Sequence, residues 1–175
     1  MAADIKTKYG TSVSITMTGI EDVDASSTWI GGWTSNSVNN TSTLAVDYLV
    51  SGQFTTESTS RKAGYIFVYA YAAFNDTPTW PTIFSSGTAG AVGAASFTDV
   101  EERDSSLRLL AALTVDDTAS AVYAFPPTSI AQVFGGVVPP YWALWVTSDA
   151  ASGTADWCVS SGTNLYYVPI LYQTV

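Results

Sequence analysis

The sequence predicts an all-β fold, a single β-sandwich of jelly-roll or Greek-key type, and three observations carry that prediction. Apolar and polar residues alternate in short runs, the period that sends neighbouring side chains to opposite faces of a strand. Clusters of Ser, Thr, Asn, Gly and Pro separate the runs, and these are the residues that build turns. Hydrophobic residues make up 47% of the 175 positions, enough for one core in a chain too short for two ordinary ones. Charged residues are only 12%, about half the usual share, so most of the surface is uncharged.

Residues 1–10 read as an N-terminal arm and residues 11–175 as the single domain. Lys6 and Lys8 are the positive charges of the first 60 residues, which suits an arm that orders against an acidic partner; a frayed terminus is the ordinary alternative. Ser12 to Thr18 is the cleanest strand, with Val13, Ile15 and Met17 on one face and Ser12, Ser14, Thr16 and Thr18 on the other. Thr43 to Phe54 follows, placing Leu44, Val46, Tyr48 and Val50 opposite Ala45, Asp47 and Leu49. Ser51-Gly52 marks a bulge or bend in it, and Asp47 is expected to face solvent or a partner.

Gly64 to Phe74 carries Tyr65, Phe67, Tyr69 and Tyr71 on one face and Ile66, Val68, Ala70 and Ala72 on the other. Neither face is cheap to leave in water, so this is a central strand. Its aromatic face reads as core, with a subunit contact or a sugar platform as the functional alternatives. A long irregular loop is expected around residues 75–105, with Pro78, Pro81, the small-residue stretch Ser85 to Ser96 and the charged run Asp99 to Asp104. Surface contacts around Trp80, Ile83 and Phe84 are expected there, a mobile flap being the alternative.

A strand resumes over Ser106 to Val115, with Leu107, Leu109, Ala111 and Leu113 on one face, or a short helix by propensity. Ala121 to Phe125 ends at Pro126-Pro127, Gly135-Gly136 makes a turn, and Pro139-Pro140 precedes Tyr141 to Thr147. Leu165 to Tyr172 closes the chain, and both of these last strands read as buried.

Composition removes much chemistry. With no His and one Cys, His-based triads, His-rich metal sites, intrachain disulfides and Cys-cluster zinc sites are excluded. A formal net charge of -9 argues against nucleic acid, which needs clustered Lys and Arg. No apolar run approaches the roughly 20 residues of a membrane-spanning helix. Asp4, Lys6 and Lys8 interrupt the place of a signal peptide, so the chain is expected to be made in the cytoplasm without processing. The N-x-[ST] matches at Asn39, Asn40 and Asn75 are then chance.

Glu101-Glu102 and Asp22 with Asp24 are the carboxylate pairs a glycosidase would draw on, but adjacent acids on a strand point apart and acid runs are usually solvated. Glu21, Asp22 and Asp24 lack a calcium-loop spacing. Cys158 beside Trp157 reads as a buried thiol with nothing to activate it, and Gly31-Gly32 as turn material. The expectation is a protein that is not an enzyme and takes no cofactor or metal.

The opening Asp4 to Thr11, the segment Asn40 to Val50, Val68-Tyr69-Ala70-Tyr71, Phe134-Gly135-Gly136-Val137-Val138-Pro139 and the aromatic closing strand resemble small virion structural proteins of tailed bacteriophages. The resemblance covers both ends and the middle strands and departs most between Phe74 and Ser106. It implies a non-enzymatic decoration or cement protein, made in the host cytoplasm and located on the capsid surface of the virion. The implied partner is the major capsid protein, and the implied form a homo-oligomer such as a trimer. On that reading Lys6, Lys8 and Tyr9 are capsid-contact candidates. Trp29, Trp33, Trp80 and Tyr141 are subunit-interface candidates, each with core packing as its alternative. A tail or head-fibre component and a carbohydrate-binding module using Trp29, Trp33 and Trp80 are the rival readings.

Overall fold

A computed structural model of the chain describes residues 4–59, 61–75, 77–80, 82–153 and 155–174. Its strands are β1 (Ile5–Tyr9), β2 (Val13–Ile15), β3 (Gly31–Thr34), β4 (Val38–Asn39), β5 (Asp47–Thr56), β6 (Gly64–Ala73), β7 (Gly93–Ser96), β8 (Arg108–Val115), β9 (Val122–Ser129), β10 (Tyr141–Ser148) and β11 (Cys158–Thr174). Two short helices, α1 (Val100–Ser106) and α2 (Ile130–Val133), join them. One antiparallel sheet has the order β1-β11-β5-β9 with β2 also on β11; the other has the order β7-β3-β10-β6-β8 with β4 on β10. The fold is the all-β sandwich that the alternating pattern predicts.

Between the sheets lies the main core. Val50, Phe54, Phe125 and Leu165 come from one side, and Trp33, Ile66, Val68, Trp142, Leu144 and Val146 from the other, all buried. β6 is central, between β10 and β8. β10 is more deeply enclosed still, with every residue from Trp142 to Ser148 buried. The bulge expected at Ser51-Gly52 is present as a register shift between Val50 and Gly52 against β9.

The outer face of β6 and β10 carries a second core. Tyr69, Tyr71, Ala143 and Trp145 are covered there by Ile83, Phe84, Ala95, Phe97 and Leu107. The segment expected as a loop over 75–105 is therefore less irregular than its composition suggests. It contributes β7, paired along β3, and α1. Ile83 and Phe84 are buried rather than offered to solvent, because the aromatic outer face of β6 needs a cover. Tyr71 fastens that cover: its hydroxyl accepts a hydrogen bond from Gly90 N at 2.7 Å and shares one with Thr34 Oγ1 at 2.5 Å.

Local chemistry explains the other departures. The strand expected over Ser12 to Thr18 is only Val13–Ile15, since the chain then leaves the sheet so that Ile20 enters the core and Thr18 O accepts from Trp33 Nε1 at 3.1 Å. In β8 a bulge admits Leu110 as an extra residue between the Val68–Ala111 and Tyr69–Leu109 pairs. Alternation is broken there, so Leu110 is buried in the main core while Leu109 is 51% exposed. Gly31-Gly32 is strand, not turn: a Cβ on Gly32 would sit 2.3 Å from Val146 O and 2.7 Å from the Trp145 ring.

Candidate interaction surface

β11 is 17 residues long and outruns its neighbour. Its pairing with β5 ends at Ile170–Asp47, while β1 pairs with it from Ile170 to Thr174. Beyond Ile170 the sheet therefore narrows to a two-stranded ribbon of residues 5–9 and 170–174. In-register partners share a face, so Ile5, Thr7, Tyr9, Ile170, Tyr172 and Thr174 form one side, and Lys6, Lys8, Leu171 and Gln173 the other. Every residue of β1 is exposed, with Ile5 at 70%, Tyr9 at 71% and Tyr172 at 66%. The capsid-contact candidates Lys6, Lys8 and Tyr9 thus lie together on a paired strand. Residues 1–3 of the expected arm lie outside the described residues.

Beside the root of the ribbon the chain presents a strained leucine. Leu44 is 74% exposed at φ 52°, a left-handed conformation that costs a bulky side chain roughly 1–2 kcal/mol. Asn40 imposes it. Leu44 N donates to Asn40 O at 2.9 Å, Ala45 N donates to Asn40 Oδ1 at 2.8 Å, Asn40 Nδ2 donates to Ala45 O at 3.1 Å, and Tyr48 Oη donates to Asn40 Oδ1 at 2.9 Å. Val46 N then donates to Ile170 O at 2.8 Å, joining this loop to the ribbon. Sequence reading placed Leu44 on a strand face; the Asn39-Asn40 pair was the missed signal, since Asn39 Oδ1 accepts from Thr41 N at 2.7 Å in an Asx turn. Asp47, expected to face solvent or a partner, is half-buried and also works within the chain. Its Oδ1 accepts from Tyr48 N at 2.7 Å and Ala131 N at 2.9 Å, tying α2 to β5.

The interface candidates do not converge. Trp33 is wholly buried in the main core and cannot reach a partner, because β3 turns it inward opposite Val146. Trp80 is half-buried with its ring edge-on to Tyr71 at 5.2 Å, and Tyr141 is half-buried at the start of β10. Trp29, at φ 52°, is half-buried edge-on to Phe67 at 5.8 Å, and the Phe67 and Tyr65 rings lie near parallel at 5.8 Å. Arg103 holds this corner: buried, it donates to Trp29 O at 2.9 Å, pairs with Asp104 at 2.6 Å and lies 5.7 Å from the Tyr69 ring centre.

Acidic groups gather at the other end of β11. Burial, with Asp24, Asp22 and Glu57 nearby, pushes the Asp156 carboxyl above its ordinary range. Among the described residues no three acids, Cys or His are grouped to hold a metal ion, and no helix is long and apolar enough to cross a membrane. Glu101 and Glu102 belong to α1, where Asp99 Oδ1 accepts from Glu102 N at 2.7 Å and Glu102 Oε2 from Thr98 N at 3.0 Å. Asp99 is thus the N-cap of α1, and Glu102 reaches back to the residue before it. Burial pushes the Cys158 thiol far up, and its Sγ contacts Ile20 O at 3.7 Å. No family model matches this sequence, and no curated protein matches it at a significant level.

Proposed function

We propose that this protein is a non-enzymatic structural component of a virion, binding the assembled capsid as a decoration protein through the ribbon end. The observation that carries the reading is the ribbon itself. A two-stranded ribbon is marginal on its own in water, yet this one extends past the sandwich with Ile5, Tyr9 and Tyr172 uncovered on one face. Lys6 and Lys8 lie on the other face of a chain whose net charge is -9, and a strained Leu44 stands at its root. Backbone strain of this kind clusters at functional sites, which supports a role for Leu44 in the contact. Binding the assembled lattice and not its free subunits stabilises the shell by mass action, with no chemistry required.

Cryo-electron microscopy of particles carrying the protein tests this. Density on the outer shell with residues 5–9 against the lattice is expected; density in the tail refutes decoration and favours a fibre or tail component. A carbohydrate-binding reading keeps one observation, the Trp29, Phe67 and Tyr65 column on the outer face of β6. It requires Tyr65→Ala to abolish glycan binding while particle association persists.

A further inference from the structure

Among the described residues, one sheet edge of this sandwich lacks the charge, proline or brevity that guards the others. β1 carries Lys6 and Lys8, β9 contains Pro126-Pro127, and β2, β4 and β7 are only 3, 2 and 4 residues long. Charge, proline and brevity are the devices that stop an edge from pairing with another chain. β8, the edge of the six-stranded sheet, is eight residues long with Arg108 at its start and reads LLAALTV from Leu109 to Val115; its one irregularity is the bulge at Leu110, which leaves Ala111 to Val115 in regular register on β6. Among the described residues no hydrogen bond joins its outward backbone groups from Leu109 to Thr114 to any other part of the chain.

We infer that β8 pairs antiparallel with β8 of a second copy of this chain, about a two-fold axis near Ala112 and Leu113, joining the two six-stranded sheets into one. The occupant follows from the charges. Arg108 stands exposed at one end of the strand, and Asp116 and Asp117 stand exposed just past the other. Antiparallel self-pairing lays the Arg108 of each copy beside Asp116 and Asp117 of the other, so both ends of the contact are complementary under a single symmetry operation. A net charge of -9 opposes association elsewhere on the surface, but the strip between these ends is uncharged. Ala111 and Ala112 at its centre allow close approach, and Leu109 and Ala112, exposed on the outer face opposite Tyr69 and Phe67, gain cover when the second sheet is added.

Sedimentation of the free, full-length protein from about 1 to 100 µM tests the inference, with far-UV circular dichroism confirming the fold of each variant. The wild type is expected to form a dimer in a concentration-dependent way. Ala112→Lys places a charge on an exposed position and should weaken the dimer roughly tenfold or more. Arg108→Asp should weaken it too, and adding Asp117→Arg to Arg108→Asp should restore it. A wild type that stays monomeric throughout, or forms a trimer, overturns the inference. So does a dimer that Ala112→Lys and Arg108→Asp leave unchanged.

Discussion

Replacing Tyr71 by Phe isolates the bond that fastens the outer cover to the sheet. The ring is buried and keeps its edge-on partners Trp80 at 5.2 Å and Phe84 at 5.5 Å, so no cavity forms. Two bonds are lost, to Gly90 N and Thr34 Oγ1. Thr34 is not orphaned, since its hydroxyl still has Leu144 O at 3.2 Å. Gly90 N–H, in a part-buried position, is left without its acceptor, and at about 0.5–1.5 kcal/mol for each bond the loss of the two together costs about 1–3 kcal/mol. At a middle value of about 2 kcal/mol, a domain of this size loses roughly 4–8 °C in Tm. With a urea slope near 2 kcal/mol per M, the midpoint falls by about 1 M. Amide exchange locates the effect: the Gly90 amide should lose protection in Tyr71→Phe, while Val68 and Leu144 in the main core keep theirs relative to global unfolding. An unchanged urea midpoint with an unchanged Gly90 amide would refute the claim that this hydroxyl holds the segment down.

Leu44→Gly removes left-handed strain at little loss of buried area, so stability should rise by about 0.5–1 kcal/mol in urea unfolding, while affinity for particles falls on the decoration reading. Arg103→Lys cannot keep both the Asp104 pair and the bond to Trp29 O and should cost about 1–3 kcal/mol by the same assay, with a change in Trp29 fluorescence. Cys158 should resist a thiol reagent in the folded protein and react fully in denaturant, because burial holds its thiol protonated. The Asp156 carboxyl titrates above its unfolded value of 3.8, so the folded chain binds the extra proton. Its contribution is complete below that value and is lost as pH rises through the raised one. Asp156→Asn should therefore match the wild type at low pH and exceed it by about 0.5 kcal/mol or less near neutrality, read from urea midpoints across the carboxylate range.

Period-two alternation was enough to place β6 at the centre of a sheet, β10 in the core and a bulge at Ser51-Gly52, because those features depend on local apolar pattern and on glycine. β11, expected buried from Leu165 to Tyr172, is buried there only at Leu165 and Pro169, with Tyr166 exposed and Tyr172 exposed past the end of its pairing with β5. The basic, aromatic character of residues 6–9 was equally plain. What the one-dimensional pattern could not carry was which of two apolar faces looks inward. Tyr69, Tyr71 and Trp145 have the composition of a core face, yet they lie outside the sandwich, and only the return of residues 80–107 across the sheet buries them. Trp33 and Trp29 are alike as loop-flanked tryptophans; the register of β3 on Val146 buries one, while the other is half-buried against Phe67 on the outer face with its carbonyl held by Arg103. The ribbon and the unguarded β8 edge are likewise tertiary facts, since an edge exists only once its neighbours have been assigned. Composition and periodicity by themselves determined that this chain is a β-sandwich with little ionic chemistry to offer. Long-range pairing decided where it presents apolar surface, because burial is a property of what folds back onto a strand and not of the strand alone.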